Sequence, residues 1–316
     1  MTDIAELSTH PGPGLSDQAW TDLLRRLNDQ SVTKHFEAYV DIDWDSDELR
    51  LDPEDSRWAL PPDEPLAATA WYQSLPQATR ARLGCNYAAY RMKAGLEFES
   101  ILKRGLLEFA SRLPNGSPEF RYAYHEVIEE AQHALMFQEF VNRSGFDVQG
   151  LNRIDRLGAR IVLSFSRWFP ELFFIFILGG EDPIDHVQRE HLRRGDRHPL
   201  DERIMRIHVT EEARHLSFAR HYLKRRVPHL PRWRRGALAV GTPVVLGAMA
   251  EIMLKPSRQI VHDFDIPATV IEEAYRRNPA HRQRTVASLS KVRALCEELG
   301  LLRRPFGRLW QYLRLQ

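Results

Sequence analysis

Glu129-Glu130-Ala131-Gln132-His133 and Glu211-Glu212-Ala213-Arg214-His215 are one five-residue phrase written twice with a single letter changed. Each copy contains Glu-x-x-His, and residues three apart on a helix share a face. One copy is compatible with ordinary surface chemistry. Two copies in separate helical segments, each beside apolar positions, point to a bundle that turns two carboxylate-imidazole pairs inward onto a pair of metal ions. Such a bundle requires two further glutamates, one from each of two other helices.

The rest of the chain supplies those helices. Residues 1–65 read as an irregular arm with one short helix around Asp17 to Asn28, because prolines and aspartates recur there without a sustained period. The acidic stretch from Asp41 to Glu64 reads as a solvated wrapping segment, with docking of a basic redox partner as the alternative. Gln77 to Ala110 reads as one long helix, or two with a break near Cys85, and Leu113 to Pro118 as a loop. Glu119 to Asn142 is the next helix, with Gly145 as its cap. A third, strongly apolar stretch runs from about Ile161 through Phe169-Pro170 to Glu181, and a fourth helix from Pro199 to about Arg226. Helices follow at Pro267 to Arg277 and Pro279 to Leu299, then a basic amphipathic tail. Period-2 alternation is hardly sustained after residue 65, so strands are not expected. The expected organisation is the arm at 1–65 and a single helical domain at 66–316, with the bundle core at about 77–226 and C-terminal helices at 227–316.

Composition narrows the partners. The 44 Lys and Arg against 43 Asp and Glu give no global sign of a nucleic-acid binder. Cys85 and Cys296 form neither a disulfide framework nor a zinc pattern, so a reducing cytoplasm is expected. Met1 to Leu15 lacks a basic region followed by an apolar stretch, so no secretory signal is expected. Gly236 to Ala250 is uncharged but shorter than the roughly 20 apolar residues of a membrane span. It also carries Gly241, Pro243 and Gly247, and reads as a buried core helix with a proline kink, not a membrane contact.

The candidate ligands follow from helical spacing. Glu212 and His215 form one pair, and His208, four residues before Glu212, lies on the same face one turn away. Glu126 holds the equivalent place before Glu130 and is read as supporting the site or facing solvent, with a place among the ligands as the alternative. Glu181 ends a long apolar run, where a carboxylate is costly to bury without a cation. If Gly179-Gly180 ended the helix, Glu181 would instead be exposed on a loop. On the first helix both Glu97 and Glu99 qualify, and Met92, Leu96, Leu102 and Leu106 make burial favour Glu99. Glu129 and Glu211 are placed to accept hydrogen bonds from the outer nitrogens of ligand histidines on neighbouring helices. His125, His186, His191, His198, His221 and His229 read as surface or packed histidines.

These residues resemble the di-iron arylamine N-oxygenases typified by p-aminobenzoate N-oxygenase, within the ferritin-like superfamily. The resemblance has motif support over residues 69–226 and extends loosely into the C-terminal quarter. Its most specific element is the run of His208, Glu212 and His215, because common ferritin-like proteins supply only the Glu-x-x-His. It implies an all-α, ferritin-like four-helix bundle with additional C-terminal helices. It also implies a metal set of Glu99 (or Glu97), Glu130, His133, Glu181, His208, Glu212 and His215 around two iron ions, with manganese as a substitute. The implied reaction uses O₂ to carry an aromatic amine through hydroxylamine and nitroso stages toward a nitro group, in bacterial natural-product (antibiotic) biosynthesis. An external electron donor, such as a ferredoxin and its reductase, and a homodimer are further implications, with no nucleic acid or membrane as partner. Two other readings stay open: a di-iron hydroxylase or desaturase acting at carbon, and a non-catalytic ferritin-like metal-binding protein.

Overall fold

The structure is a computed structural model that describes residues 15–303, 306–313 and 315. The expectation that no secretory signal is present falls on residues 1–15, and all but Leu15 lie outside the described residues. Among the described residues no strand occurs, and the chain folds as an all-α, ferritin-like bundle. In chain order the helices are α1 (Asp17–Thr33), α2 (Ala70–Ser74), α3 (Gln77–Ala110), α4 (Pro118–Ser144), α5 (Arg153–Trp168), α6 (Pro170–Arg194) and α7 (Pro199–Arg226). There follow α8 (Arg232–Met253), α9 (Arg258–Asp263), α10 (Ala268–Ile271), α11 (Pro279–Ser288), α12 (Ser290–Glu298) and α13 (Gly307–Tyr312).

Local chemistry sets the ends of the long helices. Ser117 caps α4 by accepting a hydrogen bond from the Phe120 amide, Pro118 occupies the first turn, and Gly145 closes the helix in the left-handed region at φ 68°. Helix α7 opens on Pro199, and α6 ends on Gly195 at φ 64°. Helix α3 packs along α4, and α6 along both α7 and α8, so the two halves that carry the repeated phrase each contribute a helical pair.

Several sequence expectations are corrected in detail. Helix α3 runs through Cys85 without a break. The apolar stretch from Ile161 divides at Phe169, because Pro170 cannot donate a backbone hydrogen bond and starts a new helix. Gly179-Gly180 does not end α6. A Cβ on Gly180 would lie 2.1 Å from the Phe98 ring of α3, so the glycine serves close helix approach and the helix continues past Glu181. The uncharged segment after Arg235 lies within α8, an unbroken helix that contains Pro243. Its Leu238, Leu246 and Met249 are buried, whereas Val240 and Val244 are exposed. The stretch Arg232–Asp263 is long and apolar enough, by length and composition, to cross a membrane. The expected helix from Pro279 to Leu299 is divided at Leu289 into α11 and α12.

The main core lies between α3, α4, α6 and α7. Phe109 meets Phe174 edge-on at 5.2 Å, Phe174 lies 4.4 Å from Tyr222, and Phe218 lies 4.6 Å from Tyr122 between ring centroids. The arm joins this packing. Trp20 on α1 is buried 5.5 Å from Phe218, and Trp58 stacks on His198 at 4.3 Å. The acidic stretch expected to be solvated therefore carries Ile42, Trp44, Trp58 and Glu64 into the protein, because its apolar residues dock on α3, α4 and α7.

Candidate metal centre

All seven side chains expected at the site are buried and come from four helices: Glu99 from α3, Glu130 and His133 from α4, Glu181 from α6, and His208, Glu212 and His215 from α7. Glu130 lies 3.1 Å from His133 Nδ1 and 3.0 Å from His215 Nδ1, while Glu212 lies 3.5 Å and 3.0 Å from the same two atoms. The two motif glutamates thus stand between the halves, each within reach of both imidazoles. His208 Nε2 sits 3.6 Å from Glu99, 3.8 Å from Glu181 and 3.9 Å from Glu212. Glu97 points elsewhere, accepting from the Leu151 amide at 3.2 Å and pairing with Arg156 on α5.

The outer faces of the histidines are held by hydrogen bonds. His133 Nε2 donates to Glu211 at 2.9 Å, and His215 Nε2 donates to Glu129 at 2.8 Å. Each motif's leading glutamate therefore orients the histidine of the other motif and leaves both Nδ1 atoms facing the carboxylates. His208 uses the opposite tautomer: its Nδ1 donates to Gln188 Oε1 at 3.0 Å, which turns Nε2 inward. Arg214 pairs with Glu129 at 2.9 Å and with Glu211 at 3.5 Å, sharing its one positive charge between the two outer carboxylates. In the first motif the same position is Gln132, whose Oε1 accepts the Ala38 amide of the arm at 2.9 Å, and the Phe36 amide donates to Glu211 at 3.0 Å.

Two of these roles, those of Arg214 and Gln188, escaped the sequence reading. Arg214 is the one letter that differs between the two phrases, which was a visible signal. Gln188 lies seven residues after Glu181 and so on the same face of α6. Glu126, placed by the sequence reading either beside the ligands or in solvent, is 1 % exposed. Its burial follows from α4 lying between α3 and α7.

Electrostatics are those of a site built for cations. Burial, then repulsion from Glu130, holds the Glu99 carboxyl well above its usual range; burial, then Glu212, does so for Glu181. Burial also pushes Glu126 up to about 8 and His208 well below its ordinary value. For His133 burial acts downward, but its hydrogen bonds to the accepting Glu130 and Glu211 carboxylates outweigh it and raise the imidazole to about 10. Glu99 Oε2, Glu126 Oε2 and Glu212 Oε2 are buried without a hydrogen-bond partner. Buried carboxylate oxygens with no donor, set among imidazole nitrogens, fit divalent metal ions that take mixed oxygen and nitrogen ligands. Four triads of these groups have ligand atoms within 4.8 Å of one another.

A cavity of about 80 Å³ reaches this cluster, with Glu99, Glu181 and His208 in its lining. Its walls are mainly apolar and aromatic, including Phe98, Phe137, Val187 and Met205. Two arginines also line it, and both are already paired: Arg91 with Glu64 at 3.2 Å and Arg197 with Asp201 at 3.1 Å.

Comparison with known proteins agrees with this geometry. The chain is 40% identical over 301 residues to the uncharacterized protein MT0908 of Mycobacterium tuberculosis, covering 95% of this chain and 88% of that protein. The uncharacterized protein Mb0909 of Mycobacterium bovis shows the same identity and coverage. No solved structure matches. The family described as P-aminobenzoate N-oxygenase AurF matches residues 17–300. The chain belongs to the AurF family of di-iron, N-oxygenase-like proteins, and it carries a buried carboxylate-histidine cluster that could hold metal.

Proposed function

We propose that the protein is an O₂-dependent di-iron monooxygenase that oxygenates the nitrogen of an aromatic amine. The observation that carries this reading is His208, a third imidazole set among Glu99, Glu181 and Glu212 and lining a mainly apolar, partly aromatic cavity. Glu99, Glu130, His133, Glu181, His208, Glu212 and His215 would hold two iron ions, with manganese as a substitute. Bound there, iron would supply the activation of O₂. Conversion of an amine to a hydroxylamine consumes one O₂, two electrons and two protons and releases water. The electrons come from an external donor such as a ferredoxin and its reductase, and repetition leads through nitroso toward nitro.

The chain's own residues do the positioning. Glu129 and Glu211 fix His215 and His133 in the tautomer that turns Nδ1 inward, and Gln188 does the converse for His208. The cavity walls would exclude bulk water and lead a flat substrate to the His208 side. We assign the chemistry to the bundle core at 77–226, within a helical domain spanning 66–316. A cytoplasmic homodimer acting in natural-product biosynthesis is the setting that fits this reading.

The test loads the protein anaerobically with two equivalents of ferrous iron, supplies a chemical reductant and O₂, and follows a panel of aryl amines by mass spectrometry. Products heavier by one oxygen, labelled from ¹⁸O₂ on nitrogen, support the proposal. Oxygen inserted at carbon would replace it with a hydroxylase, and iron uptake without product would leave a metal-binding protein. Replacing His208 with Ala is expected to lower N-oxygenation by tenfold or more while CD retains the helical fold.

A further inference from the structure

Four residues before each motif glutamate stands a buried group that can bind metal: His208 before Glu212, and Glu126 before Glu130. This spacing puts each on the ligand face of its own helix. The two groups lie on opposite sides of the cluster. His208 faces Glu99 and Glu181 and lines the cavity, whereas Glu126 groups with Glu130 and His215, their ligand atoms lying within 4.8 Å of one another, and does not line it. Glu126 is 99 % buried, its Oε2 has no hydrogen-bond partner, and among the described residues no basic side chain pairs with it. Tyr122, one turn earlier on the same helix, also leaves its hydroxyl without a partner, so it makes no hydrogen bond to Glu126.

A carboxylate so placed has a structural reason to be there only if a cation shares it. We propose that Glu126 is an eighth side chain of the metal centre, binding the ion held by Glu130 and His215 on the face away from the cavity. This inference rests on the reading of the cluster as a two-metal site. It makes the centre asymmetric in function: one ion carries the third imidazole and faces substrate, while the other carries a fifth carboxylate and is shielded from it. An extra carboxylate adds negative charge at the rear ion, favouring its retention without narrowing access from the cavity.

Cobalt(II) titration of wild-type protein and of Glu126→Gln tests this, because the intensity of cobalt visible bands rises as coordination number falls. The wild type is expected to take up two ions. In the variant one of the two should bind more weakly by at least the ~10-fold that losing even an outer partner of a ligand costs. Its visible bands should also intensify. Metal-free Glu126→Gln should melt at or above the wild-type temperature, most clearly above pH 8, where a neutral amide replaces a buried, unpartnered carboxylate. Two ions bound with unchanged affinity and spectrum would overturn the proposal. So would a drop in metal-free melting temperature with cobalt binding intact, which marks a purely structural residue. Failure of the wild type to bind any cobalt would instead overturn the two-metal reading itself, and Glu126 with it.

Discussion

His133 and His215 exchange partners across the bundle, each donating to the leading glutamate of the other's motif. That arrangement makes Glu129 and Glu211 more than spacers, because each fixes an imidazole on the facing helix. Replacing Glu211 with Gln removes the charge-assisted bond to His133 and leaves Arg214 with one carboxylate fewer. Metal affinity should fall about 10–100-fold, as for other outer partners of metal-bound histidines. Competition with a chromophoric chelator measures it, and an unchanged affinity would reduce Glu211 to a structural role. Much of this was legible in sequence, because Glu-x-x-His and its preceding Glu lie within one helical turn. Arg214 and Gln188 were not, since each acts on a side chain of another helix and no local spacing encodes the register between helices. Glu126 was half legible: its position on the ligand face followed from the helical period, but its burial depended on how α4 is enclosed.

Helices were legible as elements, and their interruptions were not. Apolar periodicity marks a helix whether or not it continues, so α5 and α6 read as one stretch across Phe169 and α11 and α12 as another across Leu289. Helix α5 also inverts the usual pattern: Ile154, Leu157, Ile161, Phe165 and Trp168 are all exposed along one face. Gly179-Gly180 left a helix stop open as an alternative, and the pair marks close packing instead. Gly84 on α3 is tighter still, with its absent Cβ 1.8 Å from the backbone carbonyl oxygen of Trp58 in the arm. Backbone cannot swing aside as a side chain can, so Gly84→Ala should force the arm and α3 apart. The expected destabilisation is about 1–3 kcal/mol, the range for overpacking a dense interior, read from urea melts. A variant as stable as wild type would show that the arm yields freely.

For the molecule as a whole, the centre ties stability to pH and metal. In metal-free protein, Glu126 titrates at about 8, Glu99, Glu181 and Glu212 are also raised, chiefly by burial, and His133 is raised to about 10. Above pH ~6.5 the unfolded chain has released these protons while the folded protein keeps them, so stability falls as pH rises. The histidines lowered by burial, His125, His191, His198, His208 and His281, are neutral in both states above that pH and do not offset the loss. The melting temperature of metal-free protein should therefore drop between pH 7 and 9, and the increment on adding metal should grow over the same window as bound ions displace protons. Calorimetry with and without divalent metal measures both slopes, and a flat metal-free profile would contradict the assignment. The arm adds a mechanical side to the same coupling. Its Phe36 and Ala38 amides are fastened to Glu211 and Gln132, so a strand of backbone acts as a clasp over the outer wall of the centre. With ions held there as proposed, opening the clasp would release Glu211, loosen His133 and expose the ions, coupling metal escape to arm detachment. Trypsin cleavage at exposed Lys34 should accordingly slow when metal is bound, and the rate of metal loss should track the rate at which the clasp opens.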